Sequence, residues 1–190
     1  MGLRVAVLGL GEAGSLFAQD LLALGVEVVG YDPVPEKTVP GLLRAGSEAE
    51  AAREADLVLS LNWARVALEV AERVAPVLQP GQIYADLNTA SPTLKEEIAR
   101  HLAPTGAVFV DVALMSPVPG RGLRTPALAA GPGAEAYRAL LAPLGVPVRV
   151  VEGGPGAAQA RKLLRSVFFK GLAAAVGEAL EGARRLGLVV

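Results

Sequence analysis

Residues 5–14 read VAVLGLGEAG, an apolar run that ends in glycines at positions 9, 11 and 14. The run Leu3–Leu8 is broken only by Arg4, as expected of a parallel strand buried on both faces. Beyond the glycines, Ala13, Leu16, Phe17, Leu21, Leu22 and Leu24 fall at helical spacing, and Gly25 closes the helix. In a chain with 22 glycines among 190 residues, the spelling G-x-G-x-x-G is weak by itself. Its place between a strand and a helix gives it meaning. Gly9 then permits a tight turn, Gly11 lets the backbone approach a pyrophosphate, and Gly14 lets helix and strand pack closely. Leu10, Glu12 and Ala13 complete the loop, whose helix N-terminus offers free N–H groups and a positive dipole end to that anion.

The next apolar strand, Val26–Tyr31, stops at Asp32-Pro33. Asp32 lies near the twenty-residue offset at which a carboxylate accepts the hydroxyls of an adenosine ribose. An acidic side chain there repels a 2′-phosphate, and residues 33–36 are Pro, Val, Pro and Glu. NAD is therefore favoured over NADP, and Lys37 or Arg44 folding back would weaken the preference. Residues 33–55 read as a loop with one short helix after Ser47.

Strands follow at 56–61, 82–87 and 107–112, separated by helices at 64–75 and from Ser91-Pro92, an N-cap and first-turn proline, to about Leu102. This alternation with short connections predicts a Rossmann-type α/β fold: a doubly wound, mostly parallel sheet with helices on both faces. The stretch 113–125 is irregular, and short strands at 127–131 and 146–151 flank a helix at 134–144. From Gly156 to Leu186 there is no proline, and the pattern predicts one helix roughly 45 Å long at ~1.5 Å per residue. The reading divides the chain into a dinucleotide-binding domain at 1–153 and a long helix at 154–190, the start of an all-helical domain. Leu163, Leu164, Val167, Phe168, Phe169, Leu172, Val176 and Leu180 wrap most of that helix, so it needs a partner surface. A second copy of the chain is the simplest source, giving a homodimer through Val167–Leu186.

Composition narrows the function classes. Aromatics are 4% of residues and the net charge is -1, which leaves little for stacking bases or holding phosphate backbones or anionic membranes. There is no cysteine and a single histidine, so no metal cluster is expected. His101 sits at a helix end, where a solvated role is the plain reading, and a Ser-His-Asp hydrolase lacks a base. No signal peptide, myristoylation site or membrane span is legible, so a cytoplasmic protein is expected.

Lys162, Arg165, Ser166, Phe169 and Lys170 are spaced by three and four, on one helix face. A desolvated Lys162 beside Arg165 would have its pKa lowered by burial and by like charge, which suits a proton donor and acceptor. The plain alternative is a lysine that snorkels to solvent. Arg121 and Arg124 lie in MSPVPGRGLRTP, after a strand, where an arginine can clamp a carboxylate or phosphate or stay a solvated loop charge. Asp111, ending a strand inside the sheet, reads as structural.

With GLGEAG (9–14), YD (31–32), DLNTASP (86–92), FVDVALMSPVP (109–119) and GGPGAAQARKLLRS (153–166) in this order, the chain resembles the β-hydroxyacid dehydrogenases, relatives of 6-phosphogluconate and 3-hydroxyisobutyrate dehydrogenase. Its wording is most similar to a little-characterised branch with a distinct C-terminal helical domain. The resemblance implies an NAD(P)-dependent dehydrogenase of a small β-hydroxyacid, phosphorylated or not, with or without later loss of CO2. It makes Lys162 the acid/base and puts Asn62 and Thr89 beside the cofactor. The family's Asn-Asn pair is replaced by Arg165 and Ser166, and its Ser-Gly-Gly segment by Met115, Ser116 and Pro117. The substrate side, Ser116, Arg121, Arg124, Arg165, Ser166 and Lys170, thus departs from the family pattern. The resemblance also implies a further helical domain, so the chain is expected to be short of it or completed by a partner. A non-catalytic NAD-binding sensor or subunit, and an imine or enoyl reductase on the same fold, are the alternatives.

Overall fold

In the computed structural model, which describes residues 2–188, strand β1 (Arg4–Leu8) lies near the middle of an eight-stranded sheet. On one side of it come β2 (Glu27–Tyr31) and the two-residue edge strand β3 (Leu43–Arg44). On the other come β4 (Leu57–Ser60), β5 (Ile83–Asp86), β6 (Val108–Leu114), β7 (Ala127–Ala130) and β8 (Val148–Val150). Every neighbouring pair is parallel except β6 and β7. Chain order runs outward from β1 to β3 and then returns to begin again at β4. The connections that leave the carboxyl ends of β1 and β4 therefore run to opposite sides, and such a switch point is where open α/β sheets bind ligands.

The continuous apolar runs are explained by helices on both faces. Val5 and Val7 point toward Phe17 and Leu21 of α1 (Glu12–Ala23) and Tyr137 and Leu141 of α5 (Ala134–Leu141). Ala6 and Leu8 point the other way. They share a cluster with Ala51 of α2 (Glu48–Ala52), Val70 and Val74 of α3 (Ala67–Val74), and Ile98 and Leu102 of α4 (Pro92–Leu102). At about 1.5–3 kcal/mol for each fully buried large apolar side chain, these two layers supply the main cohesive term.

The structure trims several expected elements. The helix expected at 64–75 opens as a 3-10 turn, Ala64–Val66, and closes as another, Ala75–Val77. The helix expected to reach residue 144 becomes 3-10 at Ala142–Leu144. Both closing turns contain an Ala-Pro step, and proline lacks the N–H that an α-helix would use. The irregular stretch is shorter than expected, because β6 continues to Leu114 and a 3-10 turn forms at Gly122–Arg124.

The last helix, α6 (Ala157–Arg185), has 29 residues, about 44 Å at 1.5 Å each. Its first turn alone is embedded, through Ala158 and Gln159. From Leu164, 71% exposed, it leaves the sheet. Met1, Val189 and Val190, within the expected 1–153 and 154–190 units, lie outside the described residues. No described helix is long and apolar enough to cross a membrane.

Candidate functional site

The residues read from sequence line one edge of the sheet in spatial order. Asp32 follows β2, the glycine loop follows β1, Asn62 follows β4, Thr89 follows β5 and Ser116 follows β6. With neighbouring strands about 4.8 Å apart, an elongated ligand laid along this edge meets them in turn.

Two glycines of the loop are sterically required. Gly9 has φ of 97°, and a Cβ there would meet Leu61 O at 2.5 Å and Asn62 Oδ1 at 2.8 Å. A Cβ on Gly14 would overlap the Gly9 carbonyl oxygen. Gly11 is the N-cap of α1, and no side chain caps that turn. Glu12 and Ala13 thus begin a helix whose first N–H groups face an anion's place, which fits a dinucleotide pyrophosphate.

Asp32 is 5% exposed. Its Oδ2 accepts the Leu10 N–H at 2.9 Å and its Oδ1 accepts the Val34 N–H at 2.9 Å. The carboxylate therefore braces the glycine loop. Both cations flagged from sequence do fold back. Lys37 Nζ lies 3.8 Å from Asp32 Oδ2, and the Arg44 guanidinium donates to the carbonyls of Asp32 at 2.7 Å and Val34 at 3.3 Å.

Asn62 is held from behind by a buried polar set that sequence reading missed. Its N–H donates to Asn88 Oδ1 and its Nδ2 to Ser60 Oγ at 3.2 Å. Asn88 Nδ2 also donates to Ser60 Oγ, at 3.0 Å, and the Asn88 N–H donates to Asp86 Oδ1 at 2.8 Å. The available signal was a polar residue closing each of the apolar strands β4 and β5, at Ser60 and Asp86.

Lys162, in the second turn of α6, donates from Nζ to Thr89 Oγ1 at 2.8 Å. Burial, then the like charge of Lys95, pulls its pKa below the ordinary lysine value, and Asp111 opposes them. The expected like-charge neighbour was Arg165; the structure replaces it with Lys95. Arg165 instead donates to the Met115 carbonyl at 2.9 Å and lies 5.3 Å from the centre of the Phe169 ring. A cavity of about 290 Å³ is lined by Leu114, Met115, Ser116, Lys162, Arg165 and Ser166.

Three expected substrate residues are not part of that cavity. Lys170 is exposed, two turns farther along α6. Arg121 and Arg124 line a different cavity of about 420 Å³, with Asp20, Ala23 and Leu24. Asp20 Oδ2 accepts the Leu123 N–H at 2.7 Å, docking this 3-10 turn on the last turns of α1, away from the glycine-loop end.

The chain is similar to several known proteins. The family described as the NAD binding domain of 6-phosphogluconate dehydrogenase matches residues 4–140. A probable 3-hydroxyisobutyrate dehydrogenase of Mycobacterium tuberculosis is 28% identical over 97% of this chain and 65% of its own length. A conserved hypothetical protein of Sinorhizobium meliloti 1021 superposes with TM-score 0.87 at 30% identity, covering 99% of this chain and 67% of that one. Mycobacterium tuberculosis 3-hydroxyisobutyrate dehydrogenase, solved with L-serine, gives TM-score 0.89 at 27% identity, over 100% of this chain and 68% of that one. The chain thus spans about two thirds of the length of these relatives. The family match extends over well over half of the sequence and includes the glycine loop and Asp32, and the chain belongs to the β-hydroxyacid dehydrogenase family, through the NAD binding domain of 6-phosphogluconate dehydrogenase.

Proposed function

We propose that the chain supplies the cofactor-binding half and the acid/base lysine of an NAD(P)-dependent dehydrogenase of a small β-hydroxyacid. The observation that carries this reading is the 2.8 Å hydrogen bond from Lys162 to Thr89, at the end of the strand row that begins with Asp32 and the glycine loop. A bound nicotinamide ring supplies the acceptor for hydride. In the oxidative direction Lys162 takes the hydroxyl proton, and in the reverse direction it returns one. A depressed pKa keeps more of the amine neutral near pH 7, as a base requires.

Arg165, Ser116 and Ser166 offer a cation and two hydroxyls to a substrate carboxylate. A cavity of about 290 Å³ lies at the small end of ligand pockets, which favours a short acid. The relative solved with L-serine, itself a three-carbon acid hydroxylated at the β position, supports the same size class. Asp32 favours NAD over NADP by its charge, and the folded-back Lys37 and Arg44 oppose that preference without removing the carboxylate. A second copy of the chain, packed over α6, belongs to this reading.

The test is a screen of C3 to C6 β-hydroxyacids and their phosphates, followed by NAD(P)H absorbance. Turnover of at least one acid is expected, with kcat/KM rising with pH to a plateau below the ordinary lysine value of 10.5. Lys162→Ala should lose about 10²–10⁴-fold in kcat while cofactor affinity stays nearly intact. Turnover by Lys162→Ala within tenfold of the wild type would overturn the assignment, and a screen without turnover would overturn the reaction class.

A further inference from the structure

Behind Lys162 lies a charge cluster with no exposure. Lys95, Asp86 and Asp111 are each 0% exposed. Lys95 sits on α4 in the stripe of Ile98 and Leu102, where the helical pattern calls for an apolar side chain. Its Nζ donates to the Asp86 carbonyl at 2.7 Å and faces Asp86 Oδ1 at 3.3 Å and Asp111 Oδ1 at 3.5 Å. Asp86 and Asp111 are register partners on β5 and β6, so their carboxylates lie side by side on one face of the sheet. Two buried like charges on adjacent strands would repel strongly without a cation between them.

Each aspartate also holds one of the two elements that meet at Lys162. Asp86 Oδ1 accepts the Asn88 N–H, fixing the start of the loop that presents Thr89 one residue later. Asp111 Oδ2 accepts the N–H groups of Ala158 at 2.9 Å and Gln159 at 3.0 Å. That contact caps α6, whose own N-cap, Gly156, has no side chain. Lys162 follows one turn later. The Lys162–Thr89 hydrogen bond thus joins two arms that are both tied to Lys95.

We propose that Lys95 is the positioning residue of this site, fixing Lys162 against Thr89 by bridging Asp86 under the Thr89 loop and Asp111 under the start of α6. The consequences for the acid/base role rest on the dehydrogenase reading; the positioning itself does not. The charges that act on Lys162 are Lys95 from α4 and Asp111 from β6; Asp86 of β5 faces Lys95, and Arg161 and Arg165 are its neighbours along α6. Removing Lys95 takes away a like charge and leaves Asp111 uncompensated. Both changes favour the ammonium form, so the Lys162 titration is expected at higher pH.

The experiment follows the four lysines, at 37, 95, 162 and 170, by NMR in uniformly ¹³C-lysine-labelled chain, with Lys162→Arg assigning its resonance. In Lys95→Met the Lys162 titration should move to higher pH, while NADH binding measured by fluorescence stays within about threefold. If a β-hydroxyacid is turned over, the pH limb of kcat/KM should move the same way, with kcat down about tenfold or more. Should Lys95→Met fail to fold, the double variant Lys95→Met/Asp86→Asn removes one charge of each sign, and the same upward move is expected. A folded variant of either kind with unchanged Lys162 titration overturns the proposal. An altered titration in a chain that oxidises no hydroxyacid overturns the dehydrogenase reading and leaves the positioning role standing.

Discussion

The carboxylate of Asp32 accepts N–H groups from Leu10 and Val34 while only 5% of the residue is exposed, so removing it perturbs the glycine loop. Asp32→Ala is expected to lower stability by about 1–3 kcal/mol through buried N–H groups left unpaired. It should also weaken NAD by about tenfold and NADP by less, because only NAD loses an acceptor for its ribose hydroxyls. Calorimetry with both dinucleotides checks this, and NADP as the tighter ligand of the wild type would contradict it. The position of Asp32 was legible from its offset along the chain. Its bracing role was not, because residue spacing carries no side-chain direction. Lys95 was legible in principle, as a cation in phase with Ile98 and Leu102, but a charge on a helix is ordinarily read as solvated. Arg121 and Arg124 misled for a related reason. They follow a strand end in sequence, and Asp20 then draws their turn back along α1.

Helices were found by period and misjudged at their ends. An Ala-Pro step keeps the apolar rhythm going while removing an N–H, so periodicity carried the helices at 64–75 and 134–144 into 3-10 turns. The start of α6 shows the opposite limit. Its position was plain from the change after EGGPG, yet its cap comes from Asp111, 47 positions from Ala158. Local sequence cannot express such a partner. Asp111→Ala should cost about 2–4 kcal/mol, combining a lost cap with an unbalanced buried lysine. Asp111→Asn, which keeps an acceptor oxygen, should cost less. Urea unfolding of both variants measures the difference, and equal stabilities would show that the Asp111 oxygen capping α6 contributes nothing.

At the scale of the molecule, α6 leaves an apolar surface that no described element covers. Leu164 and Val167 are each 71% exposed, Phe168 64%, Phe169 53%, Leu172 51%, Val176 49% and Leu180 47%. The polar end of the helix is satisfied locally, with Glu181 paired to Arg184 and Arg185 at 2.9 Å, so its charges need no partner. Covering seven side chains that are about half exposed is worth about 1 kcal/mol each or slightly more, so about 14–20 kcal/mol for two copies. Association costs about 4–15 kcal/mol, so a two-fold dimer that buries most of this face is favourable over most of that range. The same helix starts at the Lys162 cavity, so such a dimer would place its join close to the site. Light scattering at micromolar concentration should therefore give twice the chain mass, and Phe168→Glu should return it to the single-chain mass. A wild-type chain that stays monomeric at that concentration would mean that the stripe is solvated, and the helix would then have to be stable without a second copy.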